Sequence, residues 1–142
     1  DFRVEEIDSL ETLKQAWKNA AGRSMIGAAI GTRLFRFEAV SPLGDRTARR
    51  ELDVRILHER LLGQALGIGE EAVRDEKHLR YIRGIDAAVD EVRKGSAQIA
   101  FLLQPASIQQ VADTSFGGGV MPQKSTDFYP KLLSGMTIYK LG

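Results

Sequence analysis

The amino-acid sequence predicts a single domain of the α+β or α/β class, built on a mixed sheet of five or six strands with flanking helices. Its 142 residues, 43% of them hydrophobic, are enough for one core and too few for two comfortable domains. Apolar residues recur at helical spacing in some segments and at strand spacing in others. In addition, residues 97–103 are almost uniformly apolar, which is typical of a central strand covered on both faces.

The first forty residues predict a strand, a helix and a pair of strands. Residues 2–7 nearly alternate between apolar and charged side chains, as a short edge strand does. Ser9 is expected to cap a helix over residues 9–21, in which we interpret Trp17 as a core anchor rather than a ligand-stacking platform. Residues 24–31 and 32–40 have strong β character and predict two paired strands.

The remainder of the chain predicts three helices and three strands. Helical spacing is clearest in residues 52–66, and residues 86–94 predict a second helix that ends at Gly95. Ser107 is expected to cap a third, short helix. Strands are predicted at residues 79–83, at the apolar segment 97–103, which Pro105 ends, and at residues 135–141.

Composition disfavours several classes of protein. Twenty basic and nineteen acidic side chains leave a net charge of +1, which is too small for the field that non-specific nucleic-acid binding requires. No apolar run reaches the roughly 20 residues that cross a bilayer. The absence of cysteine excludes disulfides and thiolate metal sites and is compatible with the cytoplasm. Because the chain begins at Asp1 rather than methionine, we interpret it as a processed or excised piece of a longer protein.

The densest combination of backbone punctuation and reactive groups lies in residues 117–131, with the sequence GGGVMPQKSTDFYPK. Glycines permit positive φ or close approach of a ligand, and prolines prevent one continuous helix or strand. The cationic, hydroxyl and phenol groups here are able to hold a phosphate or carboxylate by charge-assisted hydrogen bonds. We therefore predict an anion site formed by Gly118, Gly119, Lys124, Ser125, Thr126, Tyr129 and Lys131, against the alternative of an ordered surface loop.

This loop is not predicted to be a P-loop. From Gly118 to Ser125 the spacing matches that motif except that Gln123 replaces the required second glycine. A P-loop also connects a strand to a helix, whereas here a helix is predicted before the loop and a Phe-Tyr-Pro sequence follows. Pro122 removes a further amide donor.

His58 is the candidate catalytic residue. It lies within the apolar stripe of the helix predicted over residues 52–66, so it is either a packed core residue or a group directed into a pocket. In a pocket, its imidazole is suited to act as a general acid or base near neutral pH. No metal site is predicted around it, because no second histidine or cysteine stands at ligand spacing.

Four segments resemble, in order, the C-terminal half of the bacterial and archaeal domain-of-unknown-function family numbered ten-fifteen. They are LDVRILHE at 52–59, YIRG at 81–84, AFLLQP at 100–105 and MPQKSTDFYPK at 121–131. Asp127 departs from the aromatic residue of the family motif. The resemblance implies a longer protein whose upstream half carries an Asp-Gly-His-His-Arg motif similar to ParB and free-serine-kinase relatives. It also implies a phosphorylated amino acid as ligand, because family members are often encoded beside serine-biosynthesis enzymes.

The leading hypothesis is that the chain forms one wall of a phosphotransfer or phosphate-hydrolysis site for a small phosphorylated metabolite. Kinase-like or phosphatase-like activity would then require the longer protein. The alternatives are a non-catalytic domain that binds a nucleotide or an amino acid, and an assembly module. Expected partners are a small anionic metabolite or nucleotide and the upstream domain, and a homo-oligomer is compatible with the sequence. The cofactor and any metal requirement stay open.

Overall fold

The computed structural model describes residues 2–20, 23–40 and 53–121. Its strands are β1 (Phe2–Ile7), β2 (Met25–Ile30), β3 (Arg33–Ala39) and β4 (Ile99–Leu102). Its helices are α1 (Leu10–Lys18), α2 (Asp53–Ile56), a π-helix (Leu57–Ala65), α3 (Glu70–Arg74), α4 (Ile85–Arg93) and α5 (Ile108–Phe116). The prediction of a mixed α and β architecture is therefore confirmed. The strand predicted at residues 135–141 lies outside the described residues.

Within the described residues the sheet has four strands in the order β1-β3-β2-β4, and each neighbouring pair is antiparallel. Strands β1 and β2 therefore run in the same direction with β3 between them, and β3 and β4 do so with β2 between them. Each of these two pairs forms a split β-α-β arrangement, in which helical segments connect the two parallel strands.

The first face of the sheet packs against α1 and α4. Leu13 and Trp17 of α1 and Val89 and Val92 of α4 are buried there, together with Leu102 of β4. The Trp17 indole Nε1 donates a hydrogen bond of 3.1 Å to the carbonyl oxygen of Met25. The burial of the ring and this hydrogen bond confirm Trp17 as a core anchor.

Local signals in the sequence set the ends of α1 and of the β2–β3 hairpin. The hydroxyl of Ser9 accepts a hydrogen bond from the amide of Thr12, as predicted for the cap of α1. Gly31 has a φ of 60° in the turn between β2 and β3, a conformation that glycine adopts without steric cost. The two predicted strands consequently pair from Ile30 opposite Arg33 onwards.

The second face of the sheet packs against the helical segment that contains α2 and the π-helix. Ile56, Leu57, Leu61 and Leu62 form a buried cluster with Ile26 of β2. Partly buried side chains from the sheet and the following segments pack around this cluster: Phe2, Phe37, Phe101, Leu103, Ile68, Val73 and Leu79. The sheet thus has a core on each face.

Three sequence predictions about the sheet are wrong for the described residues. There are four strands rather than five or six, and all pairs are antiparallel rather than mixed. Strand β4 stands at the end of the strand order, although both of its faces are covered as its apolar sequence indicated. A strand at the end of a sheet is apolar at every position when helices cover both of its faces, as a central strand is. Composition alone therefore does not distinguish an end strand from a central one.

The strand predicted at residues 79–83 does not form. The segment follows two non-glycine residues with left-handed backbone, Glu76 with φ 53° and His78 with φ 65°. The Arg80 guanidinium instead donates to the Glu91 carboxylate at 2.8 Å and to the Ser96 carbonyl at 3.3 Å. These contacts hold the segment against α4 and the residues that follow it, and none of the described strands pairs with the segment.

In the ranges that the structure describes, no helix combines the length and the apolar character needed to cross a membrane.

Candidate functional site

His58 lies in the first turn of the π-helix, next to the buried cluster on the second face of the sheet. Its side chain is half-buried, whereas the adjacent Leu57 is 7% exposed. No hydrogen bond or ion pair to the imidazole is found within the described ranges. Every buried side-chain nitrogen among the described residues has a hydrogen-bond partner. The ring nitrogens of His58 have none in that part of the chain, so they are not buried and reach solvent. His58 is therefore neither fully packed nor fully exposed.

Burial lowers the pKa of His58 from its usual value of 6.5, and the carboxylate of the adjacent Glu59 opposes this shift. The imidazole is consequently neutral near pH 7, the form that accepts a proton. A neutral imidazole at the boundary between core and solvent is a suitable general base.

The backbone at His58 is wider than an α-helix. Past this turn, the amide of Leu66 donates to the carbonyl of Leu61 at 3.0 Å, five residues earlier. A Cβ atom at Gly63 would lie 3.2 Å from the carbonyl oxygen of His58, so glycine accommodates the close approach of these two turns. Single π-turns within α-helices are frequent at functional sites, whereas this π-helix extends over nine residues. Gly63 is the sequence signal for this feature, whereas the apolar spacing predicts an ordinary helix over residues 52–66.

The glycine triplet after α5 forms the C-terminal cap of that helix. Gly118 has a left-handed φ of 72°, and its amide donates to the carbonyl of Ser115 at 3.1 Å. The amide of Gly119 donates to the carbonyl of Thr114 at 2.8 Å. These two hydrogen bonds, with Gly118 as the left-handed residue, constitute a Schellman motif.

This cap changes the chemistry expected of Gly118 and Gly119. Their amides already donate to carbonyls of α5, so they are not available to surround a phosphate. The C-terminal end of a helix also carries a partial negative charge, which disfavours an anion. An anion bound by this loop would therefore need its donors from side chains further along, while Gly118 supplies the turn that directs the chain. The three glycines after a predicted helix were a signal for this motif that the sequence interpretation missed.

The predicted side chains of the anion site, Lys124, Ser125, Thr126, Tyr129 and Lys131, lie outside the described residues. Within the described ranges no hydrogen bond connects His58 with Gly118 or Gly119. The catalytic and binding halves of the predicted site therefore stay two separate predictions.

The described part of the chain holds no group of three or more histidine, aspartate or glutamate side chains placed to share a metal ion. The other histidine, His78, is exposed in the segment between α3 and α4. A metal role for His58 would thus have to rely on ligands from elsewhere.

Comparisons of the chain with models of protein families, with curated proteins and with solved structures find no match in any of the three. The resemblance in residues 52–131 therefore stays a prediction.

Proposed function

We propose that the chain forms one wall of a site for a small phosphorylated metabolite, such as a phosphorylated amino acid, at which a phosphoryl group is transferred or hydrolysed. The other wall would belong to a preceding part of a longer protein, as the family resemblance implies. The observation that carries this proposal is the state of His58. It is half-buried, neutral near pH 7, and free of hydrogen-bond partners among the described residues.

The sequence of the loop supports the same proposal. Two lysines, at 124 and 131, flank Ser125 and Thr126 over a short stretch of chain. Hydrogen bonds from charged donors contribute roughly 1.5 to 3 kcal/mol each, so one lysine and one hydroxyl are enough to position a phosphate. With the amides of Gly118 and Gly119 engaged in the helix cap, these side chains carry the binding.

Two other functions stay as alternatives, and one experiment separates all three. The chain with its upstream region is incubated with phosphoserine, and separately with serine and a nucleotide. Turnover supports the proposed site. A ligand-induced rise in melting temperature without turnover favours a binding domain, and neither effect together with a concentration-dependent oligomer favours an assembly module.

Replacing Lys124 with alanine is expected to weaken the binding of phosphoserine by about ten-fold or more, because one charge-assisted hydrogen bond is lost. The melting temperature should scarcely change, since exposed lysines contribute little to stability. Titration calorimetry on the wild-type and variant chains measures the first effect and thermal unfolding the second. Lys18→Ala removes the same charge at the exposed end of α1 and should leave binding unchanged. Equal affinities for Lys124→Ala and the wild type would remove the loop from the site.

His58→Gln and His58→Leu are expected to abolish turnover while the chain stays folded, because each removes the proton acceptor.

The lowered pKa of His58 predicts, in addition, how the stability of the chain depends on pH. The folded chain binds a proton at His58 less readily than the unfolded chain, so this residue's contribution to stability is complete above pH 6.5 and is lost as the pH falls below it. Denaturation at several pH values should show that this component disappears in His58→Gln. Unfolding of both variants at neutral pH, instead, would mean that His58 serves packing only.

A further inference from the structure

Strand β1 stands at the end of the strand order, and within the described ranges its outer edge has no strand partner. Its inner edge pairs with β3 over all six of its residues. Four consecutive side chains of β1, from Arg3 to Glu6, are exposed. An open edge of this length presents backbone donors and acceptors that are ready to pair with another strand.

Arg3 has no ion-pair or hydrogen-bond partner within the described part of the chain, although carboxylates are near. Glu38 lies opposite Arg3 on β3, but its carboxylate pairs with Arg23. Glu5 pairs with Arg36, and a carboxylate is able to accept from a second cation at its other oxygen. The edge therefore carries an unmatched cation two residues from a carboxylate with remaining acceptor capacity.

Strand β1 is complementary in charge to a second copy of itself. A two-fold axis perpendicular to the sheet places two β1 edges side by side and antiparallel, with each sheet face continuing onto the same face of the other copy. Because opposed residues share a face, the axis must pass beside one residue of β1. With the axis at Val4, Arg3 lies opposite Glu5 of the second copy, and this pair occurs twice.

The neighbouring registers are unfavourable. An axis at Glu5 places the two Glu5 side chains opposite each other, and an axis at Arg3 does the same for the two arginines. Like charges directly opposite destabilise a strand pair, whereas opposite charges stabilise it. The axis at Val4 also brings together two valine side chains that are each 53% exposed in one chain. Of the registers with the axis at Arg3, Val4 or Glu5, charge pairing and apolar contact thus favour the one at Val4.

We propose that the outer edge of β1 is a homodimer interface, in which two chains join through antiparallel β1 strands with Val4 at the two-fold axis and form one continuous sheet. Its occupant is a second copy of this chain. Each copy contributes Arg3 and Glu5 to the interface, and each supplies the acceptor that the other's Arg3 lacks. This interface does not depend on the proposed phosphate site.

Sedimentation equilibrium on the 142-residue chain tests the proposal. The wild type is expected to associate to a dimer at chain concentrations up to about 1 mM. Arg3→Glu places two glutamates opposite each other twice, and Glu5→Arg does the same with arginines, so each variant should lower the association constant by about ten-fold or more. An equimolar mixture of these two variants should associate again, because the strands of the mixed dimer carry opposite charges at both positions.

Matched controls keep the outcome decisive. Lys18→Glu makes the same change in charge as Arg3→Glu on the exposed end of α1 and should leave the dimer intact. Circular dichroism shows whether each variant folds. If Glu5→Arg unfolds through repulsion by Arg36, then Arg3→Gln, which removes the charge from a residue with no partner within the described ranges, replaces the mixing test and should weaken the dimer. A monomeric wild type, an unchanged dimer in the Arg3 variants, or folded charge variants that fail to associate on mixing would each overturn the proposal.

Discussion

Leu102→Asp is expected to leave the chain unfolded under conditions in which the wild type is folded. Leu102 is 1% exposed and lies on the first face of the sheet, packed among side chains of α1 and α4. No charged or polar residue is buried among the described residues, so an aspartate there would be a buried and unpaired charge. A buried charge that is left without a partner destabilises a protein by about 3 to 5 kcal/mol. Loss of the leucine side chain from the core adds about 2 to 5 kcal/mol. The sum is comparable with the roughly 5 to 15 kcal/mol that stabilises a typical domain.

Circular dichroism and the temperature dependence of its signal measure the result. Phe101→Asp provides a graded comparison on the opposite face of the same strand. Because Phe101 is only partly buried, its replacement should destabilise the chain less than that of Leu102. Gln104→Asp introduces the same charge at an exposed position two residues further on and should melt like the wild type. A soluble Leu102→Asp chain with a cooperative transition near that of the wild type would contradict the placement of β4.

The sequence was sufficient to predict elements whose signals are local. The cap at Ser9 and the apolar spacing of α1 and α4 each act within a few residues, so their outcomes follow from propensity and spacing. Ser107 likewise caps α5, where its hydroxyl accepts from the Gln110 amide and the Gln110 side chain accepts from the Ser107 amide.

Features that depend on distant parts of the chain were not predictable in the same way. Strand β4 is apolar because helices lie against both faces, and its position at the end of the order of described strands depends on pairing with β2, about seventy residues earlier. Residues 79–83, after α3, have a composition that suits a strand, yet Arg80 binds to Glu91 of α4 and no strand among the described residues pairs with this segment. A periodic pattern in the sequence predicts which face of a helix or strand is apolar. It does not predict whether another strand lies beside it to form hydrogen bonds.

The candidate site shows the same division. The sequence located His58 within an apolar stripe, and only the packing of the π-helix determines that the ring is half-buried with its nitrogens in solvent. The glycine triplet was interpreted as a place of approach for an anion. The hydrogen bonds of Gly118 and Gly119 assign these residues to the end of α5, a role that depends on the length of the preceding helix.

A close contact between α1 and the sheet, at Leu13 and Gly27, gives the second large effect. A Cβ atom at Gly27 would lie 2.4 Å from Cδ2 of Leu13 and 3.1 Å from Cβ of Leu102. Gly27→Ala is therefore expected to destabilise the chain by about 1 to 3 kcal/mol through overpacking. Leu13 is fully buried, and Leu13→Ala should cost about 2 to 5 kcal/mol through the cavity it leaves.

The double variant, Leu13→Ala with Gly27→Ala, should lose less free energy of unfolding than the two single variants lose together. Leu13→Ala removes the Cδ atoms that the Gly27 methyl group would meet, and that methyl group in turn fills part of the cavity. We expect a favourable coupling free energy of about 1 to 3 kcal/mol between the two substitutions, since residues in direct contact are not additive. Denaturant unfolding of the wild type, both single variants and the double variant measures it.

Gly69→Ala distinguishes this steric effect from the general consequence of adding a methyl group to a glycine. Gly69 has a φ of −73°, which any residue adopts, and no atom lies within 4 Å of its ideal Cβ position. Its replacement should change stability by less than about 1 kcal/mol and should be additive with Leu13→Ala, because the two sites share no contact. If Gly27→Ala and Leu13→Ala also proved additive within about 0.5 kcal/mol, the substituted residues would not meet, and α1 would not lie against β2 at this point.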